Sequence, residues 1–447
     1  MRALASLLLP LLLAAPGSVL ANGRAPLTNG VHFAPGDNHS LYVASTFGLL
    51  ISHDDGCTFD WVCEQAVGYN GTFDPKYALA ADGSIYATTF TGLHISRDGG
   101  CSFEVATAGL PVDDPGNFSQ RWVDALDIGP TGEVWAGLAD SGHPNDFFSS
   151  TDGGHTFASK GLLSSTIWWK SVKVSPADAR RVYVTGYQVS GTLPDGGSMQ
   201  PQAHLLRSDD DGATWNPSAL GDVHFGTTPI VLVSAIDPTD KDKLFVTSLG
   251  AGSAPGPGDR LYVSTDGGAT LTEALSTADT IRDVVIVDGT HVLAATENDG
   301  TYASTDGGHT FAKETGTPQL ECLGRRADGK LFGCGQNWAP DFKAVAQSAD
   351  GATWDKVFRF VELAGPLACP AGTAEHDVCA PTWPTIQQQF GATGSTCGLA
   401  PDGPAADAPV PPPKASAGGC CDAGSGSAAS LLFGLGVGAL LLRRRRA

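Results

Sequence analysis

Hydrophobic residues fall in short runs along most of this chain. Examples are SLYVAS from Ser40, EVWAG from Glu133, RVYVTG from Arg181, KLFVTS from Lys243, HVLAAT from His291 and KLFGCG from Lys330. Each run mixes β-branched and aromatic side chains, and Gly, Asp, Asn or Ser residues bound it. That is the signature of strands, not helices. Around one unit the order is clear: Tyr77–Ala81, a turn at Asp82-Gly83, Ser84–Thr88, Gly92–Ser96, a second turn, and Phe103–Ala106. Four runs joined by short turns predict a four-stranded antiparallel meander. No long helical period occurs before the last 25 residues.

The turn before each fourth run repeats. It reads SHDDGCTF from Ser52, SRDGGCSF from Ser96, STDGGHTF from Ser150, SDDDGATW from Ser208, STDGGATL from Ser264 and STDGGHTF from Ser304, with a shortened SADGATW from Ser348. The carboxylates are Asp54, Asp98, Asp152, Asp210, Asp266, Asp306 and Asp350. The spacing averages about 49 residues, the length of one four-stranded unit. Seven units that cannot each bury a core alone predict an all-β, seven-bladed β-propeller, which hides most sheet edges. The pattern resembles the Asp-box (BNR) repeat. That resemblance implies a propeller but no particular activity, because the fold hosts hydrolases, receptors and assembly factors alike.

The octapeptide is predicted to be scaffold. Ser and Asp hydrogen-bond the turn, Gly supplies positive φ, and the aromatic packs beneath. The position of His155 and His309 holds Cys or Ala in the other copies, an exchange that chemistry seldom tolerates. SDDDGATW lacks the bidentate Glu of a calcium loop.

In an antiparallel meander these turns share one face. The second-to-third and blade-to-blade connections share the other. Three of those connections are long, Leu138–Phe148, Tyr187–His204 and Gly250–Asp259. Nearby lie the candidate ligand-binding residues Arg121, Trp122, Trp168, Trp169, His224, Phe225 and Arg282. Aromatic faces beside polar groups suit glycan or protein ligands, so a binding module is expected. The alternative is a glycoside hydrolase using Asp124 and Asp283 as its acidic pair. A sialidase-like site would need an arginine triad, a nucleophilic Tyr and an aromatic-Arg-Ile-Pro start; only Arg24-Ala25-Pro26 echoes that start, without a preceding aromatic, and no GxSxG or HExxH is present. No cofactor and no metal site are implied.

Composition adds the setting. Gly (57) and Pro (29) are abundant, as a turn-rich protein requires. The net charge of −20 disfavours nucleic acid partners. Arg2, the apolar run Leu4–Leu13 and Val19-Leu20-Ala21 predict a signal peptide over 1–21. Export makes disulfides the first reading of the ten cysteines. Cys322 and Cys334 flank one hairpin turn and are placed to bridge it. The expected organisation is a propeller over 22–362, a cysteine-containing appendage over 363–397, a Pro/Ala/Gly-rich linker over 398–419 and a tail over 420–447. The tail holds Cys420-Cys421, an apolar stretch and Arg443–Arg446. It resembles the MYXO-CTERM sorting tail, which implies a sorting protease as partner and anchoring at the cell surface or outer membrane.

Overall fold

The computed structural model describes residues 25–394, apart from 72, 112–113, 115, 193–196 and 253–257. The segments expected to be a signal peptide, a linker and a sorting tail lie outside the described residues. Seven sheets form a ring, each with four antiparallel strands laid down in sequence order. Blade 1 spans Thr28–Cys63, blade 2 Tyr77–Val105, blade 3 Val123–Ser159 and blade 4 Trp168–Pro217. Blade 5 spans Val231–Ser276, blade 6 Ile281–Lys313 and blade 7 Leu320–Phe358. The seven-bladed propeller read from the repeats is therefore what forms. The middle strands Leu41–Ser45, Ile85–Thr89 and Leu244–Ser248 are buried at every position, because neighbouring blades cover both faces.

The octapeptide turns are hydrogen-bonded in one repeated pattern. In blade 1, Ser52 Oγ donates to Asp54 Oδ1 (2.8 Å) and accepts from Gly56 N (2.9 Å), while Thr58 N donates to Asp54 Oδ1 (2.8 Å). Blades 2 to 6 repeat these bonds, and the shortened turn at Ser348 keeps the counterpart of each. The glycine matters twice. Gly154 has φ +83°, and a Cβ there would lie 2.6 Å from Ile95 of the preceding blade. His155 and His309 are exposed and lend the turn only their backbone N–H.

At Asp54, burial pushes the carboxyl pKa up, but hydrogen bonds from Thr58 and Ser52 outweigh it and hold it below the usual range. A folded pKa below the unfolded one gives stability that is present above the unfolded value and lost as pH falls through the folded one. Asp54→Ala is expected to cost about 1 kcal/mol at neutral pH. Urea titrations should show that deficit vanish in acid.

No strand is exchanged to close the ring, since every blade is contiguous in sequence. Closure comes from the segment after blade 7. Gly365-Pro366 adds to the outer strand of blade 1 in parallel. Disulfides then join Cys63 to Cys379 and Cys101 to Cys369. A helix at Trp383–Phe390 packs Phe390 against Phe47 and Phe360, and Trp383 against Trp61. This helix is not foreseen in the sequence reading. Its start carries Pro384, and it ends at the left-handed Gly391. Cys322 and Cys334 are directly paired across their hairpin and bonded, as their spacing suggested.

Glu375 is fully buried beside the Cys63–Cys379 disulfide. Its Oε2 accepts from Cys63 N (3.3 Å), and burial pushes its pKa up to about 8. Cys63, Glu375 and Cys379 have the closeness of metal ligands, but the two sulfurs are bonded to each other. Among the described residues no helix is long and apolar enough to cross a membrane.

Candidate functional site

The first strands of the blades line the axis, where side chains from non-adjacent blades meet. Six of the seven carry a bulge, and the extra residue is polar each time: Asn29, Asp124, Lys170, Ser234, Arg282 and Glu321. A bulge re-aims a side chain out of the regular alternation. In blades 3 and 4 it produces an ion cluster. Lys170 Nζ sits 2.7 Å from Asp124 Oδ2, and Lys76 Nζ of blade 2 sits 3.1 Å from Asp124 Oδ1. Lys76 also donates to the main-chain oxygens of Asp124 and Lys170 (3.0 Å to the latter). A blade 2 side chain reaches a blade 4 carbonyl only on the inside of the ring.

Asp124 and Lys170 are buried, whereas the Lys76 side chain keeps 41% of its exposure. Burial lowers the Lys76 pKa to about 8, partly offset by Asp124 and reinforced by Lys170. Two ammonium groups against one carboxylate leave this cluster with a local excess of positive charge, in a chain of net charge −20.

Deeper along the axis, Asp283 accepts from Val284 N and, across the blade boundary, from Leu323 N (both 2.9 Å). Asp127 does the same toward blade 4, accepting from Val174 N (2.7 Å). These carboxylates tie neighbouring blades together. Burial pushes Asp283 up to about 6, against the pull of the Leu323 N–H and Lys173. Burial and the same lysine hold His32 down to about 4.

Above the ion cluster lies a contiguous group of rings on the face opposite the octapeptide turns. Trp122 contacts Phe73, Phe90 and Trp168, with centroids at 5.9, 5.0 and 6.2 Å, and Trp168 contacts Tyr187 at 5.8 Å. Phe90, in a second-to-third turn, is 46% exposed. The nearby Asp124 charge adds to burial in raising the Tyr187 pKa.

The sequence candidates divide in space. Trp122 and Trp168 meet in this cluster. Arg121 stands beside it, held by Asp140 Oδ2 (3.1 Å) and Pro144 O (2.6 Å). Trp169 is 1% exposed and packs on Phe147 inside the blade 3–4 core, so it offers a ligand no surface. His224 and Phe225 belong to a separate group, where His224 N donates to Tyr262 Oη (2.9 Å). Arg282 pairs with Glu297 (2.8 Å). The sequence reading missed Lys76, Lys170, Phe73, Phe90 and Tyr187. One signal was present: Trp122 and Trp168 each stand two residues before a charged residue at a first-strand start.

No family model matches the chain, and no curated protein does. Similar solved structures are β-propellers. A GH74 enzyme from Niastella koreensis is 16% identical over 73% of this chain, with TM-score 0.40, and the chain spans 65% of that enzyme. YCF48 from Cyanidioschyzon merolae is 16% identical over 70% of this chain and 93% of its own, with TM-score 0.48. A structure of YCF48 bound to D1 peptide is 13% identical over 73% of this chain and 94% of its own, with TM-score 0.46. At such identities the likeness is one of fold alone.

Proposed function

We propose that this chain is an exported, surface-anchored Asp-box propeller that works as a binding module, with its ligand site on the face opposite the octapeptide turns. The observation that carries this reading is the five-ring cluster of blades 2 to 4, standing over the Lys76–Asp124–Lys170 group. Partly exposed Trp and Tyr side chains beside a charged floor are the composition of binding hot spots. The Cys420-Cys421 tail supplies the anchoring part of the proposal.

The hydrolase reading needs Asp124 and Asp283 as free acid and base. Asp124 is instead ion-paired to two lysines, and Asp283 accepts backbone hydrogen bonds from blades 6 and 7. Binding is therefore favoured over catalysis.

Glycan arrays and binding to isolated cell walls test the module. Trp168→Ala and Trp122→Ala are each expected to weaken a detected ligand by at least tenfold, as truncating a central aromatic anchor does. Unchanged affinity in both variants would remove this face from consideration.

A further inference from the structure

We infer that the ligand is an extended peptide segment presenting an apolar side chain next to a carboxylate, with the apolar group on the ring cluster and the carboxylate at Lys76. This inference rests on the site proposed above and adds the chemistry of its occupant.

Ring geometry argues against a sugar. Sugars stack flat on open aromatic faces. Here Trp122 meets Phe73 at 88°, Phe90 at 54° and Trp168 at 72°, and Trp168 meets Tyr187 at 63°. Each ring turns its edge or a tilted face to the next, so neighbours cover much of the face that a pyranose would need. What remains is an uneven apolar surface, led by the exposed Phe90, that suits aliphatic and aromatic side chains. Arg121, the nearest guanidinium to these rings in sequence, is already held by Asp140 and Pro144.

Charge selects what accompanies the apolar group. Asp124 is shared by two lysines and is itself buried, so it cannot neutralise both. Lys76 is the less buried of the two lysines, with 41% of its side-chain exposure kept, and its ammonium donates to the main-chain oxygens of Asp124 and Lys170. A ligand carboxylate would complete the neutralisation by taking the place of one of these neutral acceptors in a charge-assisted hydrogen bond. The acidic surface elsewhere would repel the same ligand, which confines an acidic segment to this mouth.

Charged groups facing Lys76 are Asp124, Lys170 and Lys173. With its pKa lowered to about 8, Lys76 should give up its proton and its hold on a carboxylate as pH rises past that value.

The test is to pan a random heptapeptide phage library against the intact protein, and to probe the same protein on a glycan array. Enriched peptides are then synthesised with fluorescein, with each acid also made as its amide, for anisotropy on wild type, Lys76→Gln and Trp168→Ala. Expected are peptides with Asp or Glu beside an apolar residue. Amidation should weaken wild-type binding at least tenfold but leave Lys76→Gln little changed. Wild-type affinity should fall above pH 8, and Lys76→Arg should shift that fall upward. Peptides without acids, or equal affinity for Lys76→Gln, would overturn the carboxylate assignment. Glycan binding that depends on Trp168, with no peptide enriched, would overturn the peptide and keep the site. No ligand dependent on Trp168 in either screen would overturn both.

Discussion

Replacing Cys63, Cys379, Cys101 and Cys369 with alanine should open the propeller. Cys63 and Cys379 are 316 residues apart, and Cys101 and Cys369 are 268 apart. A cross-link that closes a loop this long removes more unfolded-state entropy than a short one, about 6 kcal/mol on the chain-entropy model. The two bridges are nested, so losing one leaves the other to limit the chain, and a single-bridge variant should lose about 4 kcal/mol. Losing both removes two covalent ties from the closing segment, whose other contacts include parallel pairing at Gly365-Pro366, the Phe47–Phe360–Phe390 rings and Trp61–Trp383. The Cys322–Cys334 bridge spans 12 residues, and its removal should cost about 3 kcal/mol. Denaturant titrations of the three variants rank these costs. Equal losses for the long and short bridges would refute closure by the C-terminal segment.

Asp124→Ala should be the most damaging single substitution near the axis. It strands Lys170, which is 6% exposed, and removes the acid beside Lys76. Breaking a buried ion pair by deleting one partner costs about 3–5 kcal/mol. Replacing the pair with apolar residues, as in Asp124→Leu with Lys170→Met, should recover much of that loss. Asp283→Ala removes acceptors from Leu323 N and Val284 N and should cost about 1–3 kcal/mol. The same variants speak to catalysis. Any glycan-cleaving activity that persists in both excludes them as its acidic pair.

Much of the architecture is legible in the chain because the octapeptide marks each blade at the same point. Its Ser, Asp and Gly act locally, so a local pattern is enough to find them. Cys322–Cys334 is legible across its hairpin, but the long-range cysteine pairings are not. Cys63 meets Cys379 only because the ring returns to its start, a fact that no spacing contains. The ion cluster is hidden for a related reason. Lys76, Asp124 and Lys170 come from three blades, and bulges aim two of them. A bulge is a mismatch between two strands and leaves no mark in either alone. Trp169 is a different case. Adjacent residues on a strand face opposite ways, so Trp168 and Trp169 were never both able to face outward.

The contiguous blades and late bridges also set an order of assembly. Each blade can form from neighbouring residues as the chain emerges, without waiting for a distant strand. Cys369 and Cys379 follow all seven blades in the sequence. If the chain is exported as proposed, it must be translocated through its last blade before either long bridge can form. On that proposal oxidation is a late event of assembly, and a chain truncated before Cys369 would lack both long bridges.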